Sequence, residues 1–452
     1  MQNEPTQDYS NFLNDLLIRV VGSNQFIRPN TRWCIAEPID KQNIRLKLTF
    51  DFSYDRVVVR INMKTLKVDL ESFTEGRLQN PYKAEIYYQS KRIAIIEKTE
   101  TITETETKPT PEGKWLTYYT PAWGSFNVIS KHHVRLLPSF GWNIHLGSLD
   151  SLIHHNITAS NDEWGLIHPT FYVFQANRKA IYHLGLTHTY IGGFDLADTT
   201  RLSKFAVRMA NKMDLLFVPS KYSKKAYIRS GVKTRVEVVP HGVDEKLYSQ
   251  PKTPLTLFPE DKTKILFFYL HSELRKGADV VRTVMKKLMK ERNDLHLVVK
   301  STQQNVLGDL PNTSYITGWI SDEDIVHLYD SCDILLAPSR GGGFELNVLE
   351  ALARGLVVIT SEWGAIQEYA KPYVLTIKST HRRIHPLPNN PIHVGYGVDP
   401  DPDSCYNLLT YAIENLDTLK KKAKRNAPRI RKKFSWSNAV RRISECLNSM
   451  SE

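Results

Sequence analysis

Closely spaced cysteines are absent from this sequence of 452 residues. The four that occur are scattered singly, at Cys34, Cys332, Cys405 and Cys446. Zinc sites and the disulfide frameworks of small secreted proteins both need cysteines in close pairs, so this spacing argues against either class. It favours a reducing compartment, and we expect the protein in the cytoplasm.

Long apolar runs are missing as well. No stretch approaches the roughly 20 apolar residues that a helix needs to cross a bilayer. The first ten residues are polar and acidic, whereas a signal peptide begins with basic residues followed by an apolar segment. We expect a soluble protein that is attached at most to a membrane surface.

Acidic residues are in deficit, with 48 Asp and Glu against 60 Lys and Arg, which gives a net charge of +12 and favours anionic partners. The densest basic run, Lys420 to Lys433, has nine Lys or Arg and no acid. It suits an acidic membrane surface, although a solvated helix face explains it equally well. Aromatic residues do not interleave this run, apart from Phe434 and Trp436 beyond its end, so we expect no nucleic acid as partner.

Apolar residues make up 41% of the chain, which is sufficient for two or three globular domains. Alternating apolar residues between Ile44 and Glu97 predict a small antiparallel β module over residues 1–98. Apolar residues at helical spacing predict an amphipathic helix from Asn11 to Val21 that packs on it. The Thr/Glu-rich stretch Thr99 to Gly113 lacks apolar periodicity and is typical of a linker, which we place at 99–114.

After this linker, short apolar strands alternate with helical stretches, which predicts parallel sheets covered by helices. Two such blocks follow, over 115–260 and 261–436, and each is long enough for a doubly wound domain. The predicted strands include Ile181 to Leu186 in the first block and Ile265 to Tyr269 at the start of the second. Ligands of such domains are expected at the carboxyl ends of the strands.

The most informative stretch is Ile334 to Gly355, where a predicted buried strand leads into three glycines and then a helix that starts near Phe344 or Glu345. Glycines let a ligand approach the backbone closely, and the free N–H groups at a helix start attract anions. A plain strand-to-helix turn also uses glycines, so the run alone does not decide between a site and a turn. The glycines are Gly341, Gly342 and Gly343.

Two acids accompany the glycines. Glu350, on the first turns of the predicted helix, has two oxygens that suit the two hydroxyls of a ribose, and its alternative is a solvated helix glutamate. Glu345 is close to the helix start, where an acid also interacts favourably with the helix dipole without any ligand.

A second candidate phosphate site follows the predicted strand Ile265 to Tyr269. There, His271, Arg275 and Lys276 precede a glycine and a helix. Cations placed just beyond a parallel strand, facing the glycine loop, suit the charge of a diphosphate leaving group. Either Arg275 or Lys276 is equally explained as a surface charge.

Four segments taken together resemble family 4 of the retaining glycosyltransferases. They are VPSKYSKKAYIRSGV, VEVVPHGVD, TGWISDEDIVHLYDSCDILLAPS and PSRGGGFELNVLEALARGLVVIT, and the likeness covers roughly Trp115 to Trp436. The resemblance implies the α/β GT-B fold, in which two Rossmann-like doubly wound domains face each other across a cleft, here behind an N-terminal β-rich extension. It implies that the C-terminal domain binds the donor, that the first domain is the acceptor side, and that a final helix over 437–452 crosses back to the first domain.

The resemblance also implies roles for single residues in the second domain. It makes Lys276 a ligand of the donor diphosphate, with Arg275 beside it, and places His271 where the family usually has an arginine. The backbone at Trp319 and Ile320 would meet the base.

In the glycine loop, the resemblance implies that Gly343 and Phe344 line the sugar and phosphate pocket. Glu350 matches the second of two family glutamates spaced eight positions apart, the one that contacts ribose. The first falls on Gly342, and Glu345, in the same loop, is our candidate for replacing it.

In the first domain, Gly124 matches a glycine-bearing loop that meets the donor phosphates. His188 falls near an active-site histidine of the family, close to the transferred sugar, and its alternative is a loop histidine with a structural hydrogen bond. Two pairs of adjacent histidines lack metal-ligand spacing, so we expect no metal site. These pairs are His132 with His133 and His154 with His155.

The function implied is a metal-independent, retaining transfer of a sugar from a nucleoside-diphosphate sugar, most simply a UDP- or GDP-sugar, to an acceptor hydroxyl on a glycan, lipid or protein. The candidate catalytic residues are His188, Lys276 and Glu345, and no cofactor is expected. The alternative is a non-catalytic GT-B protein that binds nucleotide sugar or a partner. Another GT-B chemistry, phosphorolysis or epimerisation, differs in using inorganic phosphate or in needing no acceptor.

Overall fold

The computed structural model describes residues 16–21, 26–27, 34–38, 43–49, 56–74, 83–88, 91–97, 114–121, 124–153, 162–270, 272–380 and 382–451. Three subjects of the sequence analysis lie outside the described residues, namely His271, the pair His154 and His155, and the linker Thr99 to Gly113. Within the described ranges, no helix combines the length and the apolar composition that crossing a membrane requires.

The N-terminal part forms two antiparallel sheets, each with four described strands, in the orders β2-β1-β7-β8 and β3-β4-β5-β6. The helix predicted from Asn11 to Val21 is wrong over its described part, because Leu16–Val21 is a strand that pairs with Lys83–Tyr88. Tertiary pairing overrides a weak helical preference in a run rich in leucine and β-branched residues. The strands are β1 Leu16–Val21, β2 Phe26–Ile27, β3 Cys34–Pro38, β4 Asn43–Thr49, β5 Arg56–Asn62, β6 Val68–Thr74, β7 Lys83–Tyr88 and β8 Lys91–Glu97.

The first α/β unit is a parallel sheet of six strands in the order β10-β9-β11-β12-β13-β14. The direction of strand addition reverses beside β9, which defines the switch point where such sheets bind ligands. The strand predicted from Ile181 to Leu186 is wrong, because Ala180–Thr187 is a helix. The strands are β9 Lys114–Thr120, β10 Trp142–Ser148, β11 Trp164–Ile167, β12 Tyr190–Phe194, β13 Leu215–Val218 and β14 Arg235–Val238.

The second α/β unit is also a parallel sheet of six strands, in the order β17-β16-β15-β18-β19-β20. Its switch point lies between β15 and β18, which are the strands that precede the two candidate phosphate loops. Residues on both faces of β16 are buried, as expected for a parallel strand covered by helices. The strands are β15 Thr263–Tyr269, β16 Leu295–Ser301, β17 Thr313–Thr317, β18 Ile334–Ala337, β19 Val357–Ser361 and β20 Leu375–Ile377.

Helices cover both parallel sheets, and the predicted fold class of two doubly wound domains behind a β-rich N-terminal part is confirmed. The residue boundaries of the predicted domains stay predictions. The described α-helices are α1 Gly124–Leu136, α2 Leu149–Ile153, α3 Thr170–Ala176, α4 Ala180–Thr187, α5 Lys204–Ala210, α6 Lys221–Ser230, α7 Glu245–Ser249, α8 Glu273–Lys276, α9 Ala278–Glu291, α10 Asp322–Asp330, α11 Leu346–Arg354, α12 Gly364–Ala370, α13 Pro402–Glu414, α14 Leu416–Lys433 and α15 Trp436–Ser451.

Two segments of the second unit extend onto the first. The last helix, α15, packs on the first sheet, and its buried Val440 and Ile443 share one apolar cluster with Leu116 of β9. The segment between β20 and α13 also crosses to the first unit, where Ser203 N donates to Ile392 O at 2.8 Å. The second unit therefore contacts the first through both its final helix and this crossing segment.

Helix α11, which follows the glycine loop, is held in place by a buried ion pair. Arg354 donates to both carboxylate oxygens of Asp330 in α10, at 2.8 and 2.7 Å, and to the carbonyls of Tyr248 and Gln250. The Asp330 side chain is fully buried. Removing the arginine therefore leaves a buried carboxylate without its main partner.

We expect Arg354→Ala to lower the free energy of unfolding by about 3–5 kcal/mol, because the charge left on Asp330 stays buried. Urea unfolding followed by circular dichroism measures this loss. The matched control is Arg425→Ala on the exposed face of α14, for which we expect a change within about 0.5 kcal/mol. Equal small losses in both variants would contradict a structural role for the pair.

Candidate functional site

The candidate site lies at the switch point of the second sheet, where two loops meet. After β15, the short helix α8 carries Arg275 and Lys276, and after β18 the glycine loop leads into α11. Arg340 N donates to Arg275 O at 2.7 Å, which joins the two loops directly. Gly277 makes this approach possible, since its φ is +70° and a Cβ there would lie 2.1 Å from the carbonyl oxygen of Pro338.

The carbonyl groups of the glycine loop all have donors. Gly341 O accepts from Arg275 at 3.1 Å, Gly342 O from the Trp363 indole at 3.2 Å, and Gly343 O from the Ser220 hydroxyl at 2.9 Å. The Tyr369 hydroxyl lies 2.9 Å from each of the next two carbonyls, those of residues 344 and 345. These bonds fix the direction of every peptide plane in the loop.

Most N–H groups of the same loop have no hydrogen-bond acceptor among the described residues. Among the described residues, no acceptor pairs with the N–H of Gly341, Gly342, Phe344 or Glu345, although all four residues are buried. More than 90% of buried backbone N–H groups in folded proteins have a partner. Unpaired donors at the start of a nine-residue helix, α11, therefore form a place for an anion.

Two cations and one acid lie beside these donors. The Glu345 carboxylate bonds to Lys276, and its other oxygen lies 3.2 Å from Arg275 Nη1. Burial acts to raise the pKa of Glu345, but the two cations outweigh this and hold the pKa below its ordinary value. The Arg275 Nε atom is buried without a partner among the described residues. The site thus has charged groups of both signs, and the Arg275 Nε–H remains available to a ligand as a donor.

Glu345 occupies the space above Gly342. Its backbone is left-handed, with φ of 65°, which is uncommon for a residue other than glycine. From there its side chain bends back, so that a Cβ added to Gly342 would lie 2.4 Å from Glu345 Oε1. The carboxylate therefore fills the position towards which a side chain at residue 342 would point.

The first unit also contributes to the site. Asp198, in the loop after β12, accepts from Gly343 N at 3.2 Å and lies 3.6 Å from Arg275 Nη1. A Cβ on Gly343 would lie 2.5 Å from Leu196 Cβ. The sequence analysis did not identify Asp198 or Ser220 as site residues. Asp198 follows the carboxyl end of β12, so a correct prediction of that strand would have made it a candidate.

Glu350 lies one turn further along α11 and faces two buried tyrosines. Its Oε2 accepts from the Tyr329 hydroxyl at 2.7 Å, and Tyr248 also bonds to the carboxylate. Burial raises the pKa of Glu350 to about 7, more than these bonds lower it. A contact between Glu350 and ribose stays a prediction.

Some of the other predicted site residues lie near the glycine loop, and others lie away from it. Trp319 and Ile320 follow β17 at the same edge of the sheet, and the Trp319 side chain is half exposed. Gly124 begins α1, directly after β9 of the first sheet. His188 precedes β12, and a Cβ added to Gly165, near the start of β11, would lie 3.1 Å from its ring. It therefore lies towards the amino ends of the strands, and no described contact joins it to Lys276 or Glu345.

A pocket lies at the carboxyl edge of the first sheet. The Tyr118 hydroxyl bridges the Nδ1 atoms of His133 and His168, at 2.9 and 3.0 Å, and His133 Nε2 is buried without a partner among the described residues. His241 also lines the pocket, and its ring packs against Phe344 of the glycine loop. Burial lowers the pKa of His168 and of His241 to about 3, so both rings are neutral at pH 7.

We expect the raised pKa of Glu350 to make stability depend on pH. A carboxyl group whose folded pKa is raised stabilises the fold below its unfolded pKa of 4.5 and loses this contribution as the pH rises through about 7. Between pH 5 and pH 8, Glu350→Gln should therefore gain about 2 kcal/mol in unfolding free energy relative to wild type. Urea titrations at both pH values measure the difference.

The raised pKa of Asp195, also about 7, is present in both proteins and cancels in this comparison. Glu362→Gln, on an exposed residue, is the matched control and should follow the wild-type curve. A constant difference between Glu350→Gln and wild type across the pH range would contradict the raised pKa.

Comparison with known proteins adds to this geometry. A family model described as glycosyl transferases group 1 matches residues 262–378, which include both loops of the site. Uncharacterized protein 356 of Sulfolobus islandicus rod-shaped virus 1 is 28% identical over 351 residues, which cover 72% of this chain and 96% of that protein. Putative glycosyltransferase 45 of Sulfolobus islandicus filamentous virus is 30% identical over 263 residues, which cover 56% of this chain and 73% of that protein.

Among solved structures, sucrose-phosphate synthase from Thermosynechococcus elongatus is similar to this chain in architecture, with a TM-score of 0.57 and 13% identity. The match covers 75% of this chain and 99% of that one. At this identity the likeness concerns the fold alone, and it agrees with two doubly wound domains.

Proposed function

Because this chain belongs to the glycosyltransferases with the GT-B fold, we propose that it is a retaining, metal-independent enzyme of family 4. It transfers a sugar from a nucleoside diphosphate to an acceptor hydroxyl. The observation that carries this proposal is the set of N–H groups in buried residues at the start of α11, which have no acceptor in the described part of the chain and lie beside Arg275 and Lys276.

These donors suit a diphosphate. Its oxygens accept hydrogen bonds from several N–H groups at once, and its charge is stabilised by cations and by the positive end of a helix. As the anomeric C–O bond breaks, negative charge grows on the leaving phosphate, where each well-placed donor contributes up to about 3 kcal/mol. Lys276, Arg275 and the loop N–H groups would supply this stabilisation.

In this proposal the anomeric configuration is retained, because the acceptor hydroxyl attacks the anomeric carbon on the face from which the phosphate departs. The acceptor oxygen bonds to the anomeric carbon, the bond to the phosphate breaks, and a phosphate oxygen takes the proton of the acceptor hydroxyl. No enzyme nucleophile is required. Glu345, in the space above Gly342, is the carboxylate we assign to the positive charge that develops on the sugar.

The acceptor hydroxyl would enter from the first unit, where the pocket of neutral histidines adjoins Phe344. We propose UDP- or GDP-sugars as donors and a cytoplasmic enzyme. Contact with an acidic membrane surface is proposed through α14, whose basic residues include the exposed Lys421, Lys422 and Arg425.

The competing proposal is a GT-B protein that binds nucleotide sugar without transferring it. The resemblance's first glutamate falls on Gly342, which favours this alternative, whereas the Glu345 carboxylate beside the Cβ position of residue 342 favours an enzyme. Measured turnover with any donor excludes the non-catalytic alternative.

We expect one nucleoside diphosphate from a panel to raise the melting temperature, because a ligand that binds only the native state stabilises it by mass action. The shift should be lost in Lys276→Ala, which removes a buried cation, and kept in Lys286→Ala, which removes an exposed lysine of α9. Differential scanning fluorimetry with UDP, GDP, ADP and CDP measures the shifts. If no member of the panel changes the melting temperature, the donor site is refuted.

We expect Glu345→Gln to lower kcat by about 100-fold, as loss of one preorganised electrostatic contact typically does. The measurement is donor consumption with the nucleotide identified in the panel, under saturating substrates. Glu273→Gln is the matched control, because this half-exposed acid begins α8 without entering the site. An unchanged rate in Glu345→Gln would remove Glu345 from the mechanism.

A further inference from the structure

The anion position of the site is partly taken by the protein itself. Asp198 Oδ1 accepts from Gly343 N at 3.2 Å and lies 3.6 Å from Arg275 Nη1. A backbone N–H at a helix start and a guanidinium are typical hydrogen-bond donors to a phosphate oxygen. The Asp198 carboxylate thus makes the contacts of a ligand anion.

The charges around this position balance. The two cations Arg275 and Lys276 face the two carboxylates of Asp198 and Glu345. Burial acts to raise the pKa of Asp198, but Arg275, His393 and Lys276 outweigh it and keep the pKa below its ordinary value, so this carboxylate is ionised at neutral pH. A diphosphate entering the site meets cations that are already neutralised.

The backbone that carries Asp198 is held from both sides. Thr199 Oγ1 accepts from Gly395 N at 3.0 Å, and Thr200 N donates to Tyr396 O at 3.1 Å, both in the segment between β20 and α13. A Cβ on Gly341 would lie 2.3 Å from Asp198 O. The loop is therefore fixed against the second unit, and a ligand has to displace the carboxylate rather than the loop.

We propose that Asp198 is a residue of the donor site that competes with the donor: its carboxylate stands in for a ligand anion at Gly343 N–H and Arg275, and the donor diphosphate displaces it. This inference rests on the proposed function, since the displacing ligand is the donor. The competition sets the donor affinity below the value that the cations and N–H groups alone would give.

The test is the binding of inorganic pyrophosphate, and of the nucleoside diphosphate identified in the panel, to wild type and Asp198→Asn by isothermal titration calorimetry. Asparagine keeps the size of the side chain and can accept from Gly343 N–H, but it carries no charge. We expect Kd to fall about tenfold for both ligands. Damage to the donor site would weaken binding, whereas loss of the competing charge strengthens it; the control below separates this gain from one caused by loosened contacts between the units.

The matched control is Glu368→Gln. Glu368 Oε2 accepts from Lys221 N of the first unit at 2.8 Å, so it is another carboxylate that joins the two units, but it is outside the donor site. Its Kd should equal that of wild type. Asp198→Ala is a second variant that removes the competing group entirely, and it should also bind more tightly than wild type.

An equal or weaker affinity in both Asp198 variants overturns the inference, and an equal gain in Glu368→Gln does so too, since loosened contacts between the units would then be the cause. If wild type binds, Lys276→Ala does not, and the Asp198 variants match wild type, the proposed function stands and only this inference fails. If no protein binds either ligand, the donor site and the inference fall together.

Discussion

The site depends on how closely backbones approach one another at the glycine loop. Gly277 lies against the carbonyl of Pro338, and a Cβ there would be 2.1 Å from its oxygen. Across the cleft, Gly341 and Gly343 lie against the backbone or Cβ atoms of the first unit in the same way. Any larger residue would separate these elements, so the absence of side chains serves the contact between the two units as well as access for a ligand.

This close approach accounts for the unusual hydrogen bonding of the loop. Because donors from both units fix its carbonyl groups, the peptide planes cannot turn to pair their own N–H groups. Buried donors without partners destabilise a fold, and so does the left-handed backbone of Glu345. Costs of this kind are concentrated at functional sites, and here a ligand anion would recover part of them.

The sequence predicted the second unit better than the first. Strands β15 and β18 are apolar runs followed by a glycine or proline signal, so the loops that bear Arg275, Lys276 and the glycines were located correctly. Strand β12 was missed because it contains Gly192 and Gly193, which lie so close to neighbouring side chains that no Cβ fits. The apolar sequence of helix α4 predicts a strand there instead, since its exposed Leu186 obscures the helical pattern. Asp198 was missed for the same reason.

Glu345 shows why comparing positions along a sequence is insufficient for such a site. Position 342 holds a glycine where the resembling family has a glutamate, and a position-by-position comparison scores this as a loss. The left-handed backbone three residues later turns the Glu345 carboxylate into the space where a Cβ at residue 342 would lie, against Arg275 and Lys276. A glycine at 342 is the condition for this position of the Glu345 side chain, because a Cβ at 342 would lie 2.4 Å from Glu345 Oε1. The two changes are therefore one arrangement, which neither residue reveals when it is considered alone.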